Sequence, residues 1–147
     1  MRLSTFTDYS LRVLMYLGVN DNRLATIAEI ASGYGISENH LMKVVHQLGK
    51  AGYIETVRGK GGGIRLARLP SAISLGEVIR QTETDFDLVE CFASESACCL
   101  QTACRLQPIL NEARQALFQV LDRYTLADLL KQPGELTHAL CLQPSAS

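Results

Sequence analysis

Between Thr26 and Leu69 the chain reads TIAEIASGYGISENHLMKVVHQLGKAGYIETVRGKGGGIRLARL. Thr26 and Glu29 make a capping box: the threonine can satisfy a free N–H of a first helical turn while the glutamate reaches back to the cap's own N–H. The helix they open runs through Ile27, Ile30 and Ala31, and Gly33-Tyr34-Gly35 closes it in a turn. Ser37 caps a second helix, with Leu41, Val44, Val45 and Leu48 recurring on one side at helical spacing, and Gly49 or Gly52 ends it. Tyr53, Ile54 and Val57 then form a short strand. GKGGG is a flexible turn, and Ile64 and Leu66 alternate with Arg65 and Ala67 as a second strand.

Helix, tight turn, helix and basic hairpin, in that order, is a winged helix-turn-helix. The flanks fit around it. Phe6, Tyr9, Leu11, Val13, Leu14, Tyr16 and Leu17 give residues 4–19 a broad apolar helical face. A second capping box, Ser74 to Glu77, opens a helix through Val78 and Ile79. A long helix is expected over 105–124; Pro108 confines its start to the preceding few residues, because proline is tolerated only in a first turn. Its Leu106, Leu110, Ala113, Leu117, Val120 and Tyr124 follow in steps of four and three, the seam of a coiled coil and hence of a dimer, unless the stripe packs only on its own domain. Thr125–Asp128 suggests a short last helix, and residues from Gln132 on read as a tail. The fold class expected is mainly α with a small β-hairpin wing. The domains are a winged helix-turn-helix over 1–84, a cysteine-rich loop over 85–104, a dimerisation helix over 105–130 and a flexible tail over 131–147.

The net charge of −1 argues against a polyanionic partner until its distribution is considered. Residues 1–68 hold nine Lys/Arg against five acids, and the remainder five against ten. It is the local surface that a polyanion meets. The second capped helix presents Ser37, Asn39, His40, Lys43, His46, Gln47 and Lys50 outward, and Arg58, Lys60 and Arg65 lie on or beside the hairpin. Such residues bond base edges and phosphates, so double-stranded DNA is the expected partner; the plainer alternative is a set of solvated surface charges. A twofold dimer would set two recognition helices roughly 34 Å apart on a palindromic site. No apolar run approaches the roughly 18 residues of a membrane span, and no cleavable leader is evident, so a cytoplasmic protein without a membrane partner is expected. No Cys/His/acid set has the local context of a catalytic thiol, and GKGGG lacks phosphate-loop spacing, so no enzyme is expected.

Four of the five cysteines fall within CFASESACCLQTAC, Cys91 to Cys104. In a reducing compartment clustered thiols serve metal or redox chemistry more often than structural disulfides. The paired C-x2-C knuckles of structural zinc are missing. An iron–sulfur cluster held from an irregular loop, or a thiol redox switch at Cys98 and Cys99, both remain open. The fifth cysteine, Cys141, is expected to be a bystander.

LSTFTDYSLRVLMYL at the start, SENHLMKVVHQLGKAGYIETVRGKGGGIRL through the second capped helix and hairpin, ACRL at 103–106 and YTLADL at 124–129 resemble the winged-helix iron–sulfur transcriptional regulators over about residues 1–130. YTLADL points to the nitric-oxide-sensitive NsrR-type repressor branch, with the cluster-biogenesis IscR-type branch as the relative. The resemblance implies a homodimeric repressor and three cysteine ligands per subunit, Cys91, Cys98 and Cys104, with Cys99 as the alternative to Cys98 because only Cys98 has the branch's spacing to Cys104. It implies a fourth ligand, an aspartate of the other subunit, and Asp8 in FTDY stands in that place. The histidine that completes the site in the biogenesis branch is Gln107 here, which favours nitric oxide as the signal over an iron-status regulator. A [4Fe–4S] cluster is expected, with [2Fe–2S] as the alternative. From the sequence alone, Asp8 is simply a carboxylate placed well for the helix dipole, with Arg12 one turn on.

Overall fold

The computed structural model describes residues 1–89, 92, 98–100 and 102–140. Seven α-helices are present among them: α1 Thr5–Val19, α2 Ile27–Tyr34, α3 Glu38–Lys50, α4 Leu75–Thr82, α5 Leu106–Leu121, α6 Leu126–Leu129 and α7 Pro133–Ala139. Between α3 and α4 lie β1 Ile54–Val57, β2 Gly63–Leu66 and a 3-10 turn, Pro70–Ala72.

The caps at Thr26, Ser37 and Ser74 form where the sequence places them, and Ser4 adds one beyond those expected. Ser4, Thr26, Ser37 and Ser74 each accept an N–H of their helix's first turn, and at α2 Glu29 returns the bond to Thr26. Gly35 ends α2 with φ of 66°, a left-handed conformation that a residue bearing Cβ adopts only at a cost, and so fixes the turn into α3. The hairpin is antiparallel with Ile54 opposite Leu66 and Thr56 opposite Ile64. Ala25 adds a third short edge, exchanging bonds with Ile64 at 2.9 and 2.7 Å just before α2 begins. This approach is close. A Cβ on Gly63 would lie 2.6 Å from the Ala25 carbonyl oxygen, so Gly63→Ala is expected to push the two backbones apart and cost about 1–3 kcal/mol, read as a lowered Tm.

α1 is the axis of the core. Val13, Leu14, Tyr16 and Leu17 pack with Ile30 and Ala31 of α2, Leu41, Val44, Val45 and Leu48 of α3, Tyr53, Ile54, Ile64, Ile73 and Val78. The chain then returns after α5. Leu75 donates to the Tyr124 carbonyl at 3.0 Å and Leu126 to that of Ile73 at 2.9 Å, and Leu126 is fully buried. Arg80 of α4 grips Asp122, just past α5, through two bonds of 2.6 and 2.7 Å, and its guanidinium lies 4.4 Å from the Phe118 ring centre. That grip holds the Asp122 carboxyl below its ordinary range and the guanidinium above its own.

Two boundaries differ from expectation. The segment expected as a flexible tail carries α7, and Leu140 behind it is buried in the same core as α1. α7 packs against α1, with Leu136 half-buried one turn before buried Leu140. Residues 141–147, with Cys141, lie outside the described residues. The unit expected over 105–130 is also not separate, since α6 belongs to the N-terminal core.

Candidate nucleic-acid interface and metal-ligand residues

The buried residues of α3 are Leu41, Val44, Val45 and Leu48, so its opposite side faces solvent. Ser37, Asn39, His40, Lys43, His46, Gln47 and Lys50 are all exposed, as the spacing predicts. Arg58 and Lys60 are exposed at the hairpin tip, which closes on a Gly62 N–H to Gly59 carbonyl bond of 3.0 Å. A groove runs between α3 and β1, with Met42, Lys43, His46 and Lys50 along one wall and Glu55 and Thr56 along the other.

Two of the basic residues have other partners. Arg65 pairs across the hairpin with Glu55, its register partner, and Arg68 donates to the Ala51 and Gly52 carbonyls at 3.2 and 3.1 Å while its guanidinium sits over Tyr53. Arg68 therefore ties the end of α3 to the hairpin. Arg58→Ala and Lys60→Ala are each expected to flatten the dependence of log K for DNA on log salt by about 1, the slope carried by one neutralised phosphate. Arg65→Ala is expected to flatten it less, because Glu55 already neutralises that charge.

Asp8 lies in the first turn of α1 with 48% of its side chain exposed, and Arg12 holds its carboxylate at 3.0 Å. Arg12 leads onward. Its guanidinium lies 5.6 Å from the Tyr34 ring centre, and the Tyr34 hydroxyl donates to the Arg12 carbonyl at 2.8 Å, which ties α1 to the end of α2. Tyr9, which follows Asp8, places its ring 6.2 Å from that of His40 in the first turn of α3. The N-terminus of α1 is tied to the end of α4 by a 2.8 Å bond from the Ser4 N–H to Glu83.

Burial pushes the Tyr34 hydroxyl up from its ordinary 10.0 to about 12. Below pH 10 it is protonated in folded and unfolded chains alike; above that the unfolded chain ionises first. Its contribution to stability is thus whole below pH 10 and lost as pH climbs through about 12, and melts of Tyr34→Phe should show a shallower alkaline decline than the wild-type chain.

Of the expected thiol ligands, Cys98 and its alternative Cys99 are exposed and Cys104 is half-buried, two residues before α5; Cys91 lies outside the described residues. No three His, Cys, Asp or Glu side chains converge as a metal site among the described residues. The donor chemistry nevertheless suits iron and sulfide: exposed sulfur at Cys98 and Cys99 with Cys104 close by in sequence, and a half-exposed carboxylate at Asp8.

On α5 no residue is buried. Phe118 and Arg114 turn toward Phe86 and Phe92 on the preceding segment, with ring centres 4.8 Å apart for Phe86 and Phe118. The opposite side carries Leu106, Ile109, Leu117 and Val120, between 39% and 61% exposed, and Tyr124 just beyond extends it. Ile109 adds to this stripe, and the expected Leu110 lies on the same face, half-buried. Tyr9 to His40 and Arg80 to Asp122 escaped the sequence because each spans distant parts of the chain.

The Rrf2 model, described as "Iron-dependent Transcriptional regulator", matches residues 3–132. The chain is 54% identical to the HTH-type transcriptional regulator NsrR of Bacillus licheniformis over 95% of its own length and 99% of the relative's. It is 50% identical to NsrR of Bacillus subtilis, over 95% and 97%. The structure of T. potens IscR superposes with a TM-score of 0.73 at 29% identity, covering 92% of this chain and 90% of that one. The chain therefore belongs to the Rrf2 family of iron-dependent transcriptional regulators.

Proposed function

We propose that the chain is a nitric-oxide-sensing repressor: a homodimer that holds an iron–sulfur cluster, binds palindromic DNA through α3 and the hairpin, and releases it on exposure to the gas. Each site takes Cys91, Cys98 and Cys104 from one chain, with Cys99 as the alternative to Cys98, and Asp8 of the partner subunit. Three thiolates and a carboxylate suit [4Fe–4S], with [2Fe–2S] as the alternative. When bound, the cluster supplies iron that reacts with nitric oxide, and a carboxylate is the ligand that iron held mainly by soft sulfur gives up most readily.

The observation that carries this reading is the position of Asp8. It sits on the turn of α1 that touches the DNA-reading helices, through Tyr9 against His40 and through Arg12 against Tyr34. Arg12 competes for the same carboxylate, at 3.0 Å. Asp8 thus has two holders, the partner's site and its own Arg12, and a change of holder shifts the start of α1. Tyr9 transmits that shift to the first turn of α3. The exposed stripe on α5 joins the two chains and sets the distance between the two readers.

The test is protein purified without air and titrated with nitric oxide while operator affinity and visible absorbance are followed together. Both should fall with about stoichiometric gas. Iron-free, colourless protein that still released DNA in response to the gas would rule the reading out.

A further inference from the structure

We propose that Met42 reads a thymine methyl group in the major groove, which makes it a specificity-determining residue; the inference rests on the DNA-binding reading above. Met42 is 56% exposed, the one large apolar side chain that α3 leaves in solvent. Its neighbours along that side, Asn39, Lys43, His46 and Lys50, are all polar and exposed. Met42 lies fifth in the helix, in the N-terminal half from which recognition helices reach base edges. It lines the groove between α3 and β1, beside His46 and Lys43.

Single exposed methionines elsewhere on a protein need no explanation. This one sits at the edge of a face otherwise built for hydrogen bonds and phosphate charge, where the groove floor also carries Ile27, Val45 and Ile54, and a thioether serves neither hydrogen bonding nor charge. The major-groove edges of the bases offer one apolar group, the C5 methyl of thymine. An unbranched, polarisable side chain can follow that methyl across small changes in docking. Exposure also means that the free protein loses little packing when the side chain is shortened.

The experiment uses the full-length cluster-loaded dimer and an operator duplex that it selects from a randomised pool. Each thymine is replaced in turn by uracil, which deletes the methyl group alone. At one thymine per half-site the wild-type protein should lose about fourfold in affinity, the worth of one buried methyl, and about fifteenfold when both half-sites are changed. Met42→Ala should bind the intact operator more weakly and be indifferent to uracil at that position, while Met42→Leu should keep the methyl effect. The proposal is overturned if Met42→Ala is as sensitive as wild type at every thymine, or if no single replacement affects the wild-type protein. Failure to enrich any duplex would instead overturn the DNA-binding reading on which the proposal rests.

Discussion

Asp8→Ala should leave a folded dimer that has lost most of its response to nitric oxide. The expectation combines a small structural cost with a large functional one. In the fold, the Asp8 carboxylate contributes a first-turn dipole interaction of about 0.3–1 kcal/mol and a half-exposed pair with Arg12 of about 0.2–0.5 kcal/mol. The Tm of the metal-free chain should therefore fall by only about 1–6 °C. On the proposed reading, the same carboxylate joins two chains in the cluster-loaded dimer and fixes the turn that carries Tyr9, against His40, and Arg12, over Tyr34. Coupling between two sites of this kind is typically about 1–3 kcal/mol, so operator affinity of the loaded protein should fall about 5–150-fold toward that of the gas-treated wild type. Adding nitric oxide should then change it little further. Loaded Asp8→Ala protein that binds its operator and releases it as the wild type does would remove Asp8 from the mechanism. Tyr9→Ala separates ligation from transmission: it should keep the visible spectrum and blunt the change in affinity.

The second large effect is expected at α5. Leu117→Glu places a carboxylate in the middle of the stripe formed by Leu106, Ile109, Leu117 and Val120. Side chains of this size contribute about 1.5–3 kcal/mol each when fully buried, and they are buried here only if a second copy covers them. Leu117 is 39% exposed within one chain, so the substitution leaves the monomer's own core intact. Sedimentation should show monomers at concentrations where the wild type is dimeric. Operator affinity should fall about 10²–10⁴-fold, because the two half-sites no longer share one bound partner. Phe118, one residue further, faces Arg80 and Phe86, and its replacement should lower the melting temperature instead. An unchanged dimer with Leu117→Glu would place the interface elsewhere on the molecule.

The DNA-reading half was legible because its signals are local. Caps at Thr26 and Ser37, apolar residues at helical spacing in α3 and alternation in the hairpin each fall within a few residues, and all four elements appear where those signals place them. What escaped depends on residues far apart. Arg80 and Asp122 are 42 positions apart, and nothing near either announces the other. Ala25 joins the hairpin as a single residue, too short for a strand pattern. α7 has the sequence PGELTHA, with Leu136 its one large apolar residue, and its packing against α1 is not announced by any local apolar pattern. The Arg65–Glu55 pair was within reach, since a correct hairpin register sets the two residues opposite one another. The proposed metal-ligand set comes only from resemblance, because spacing within one chain carries no sign of a ligand that another chain would contribute.

The central claim is that each cluster draws sulfur from one chain and oxygen from the other. Mixed dimers test it most directly: one chain carries Asp8→Ala, the other Cys104→Ala, the pair is isolated with two different affinity tags, loaded without air and examined by Mössbauer spectroscopy. If the ligands are shared, the cysteines of the first chain meet the aspartate of the second, and one site per dimer is whole. Such dimers should show one cluster with the wild-type spectrum, and that spectrum should respond to nitric oxide. If each chain supplied all of its own ligands, both sites would be damaged; the mixed dimer would then show no wild-type iron at all, and the claim would be contradicted.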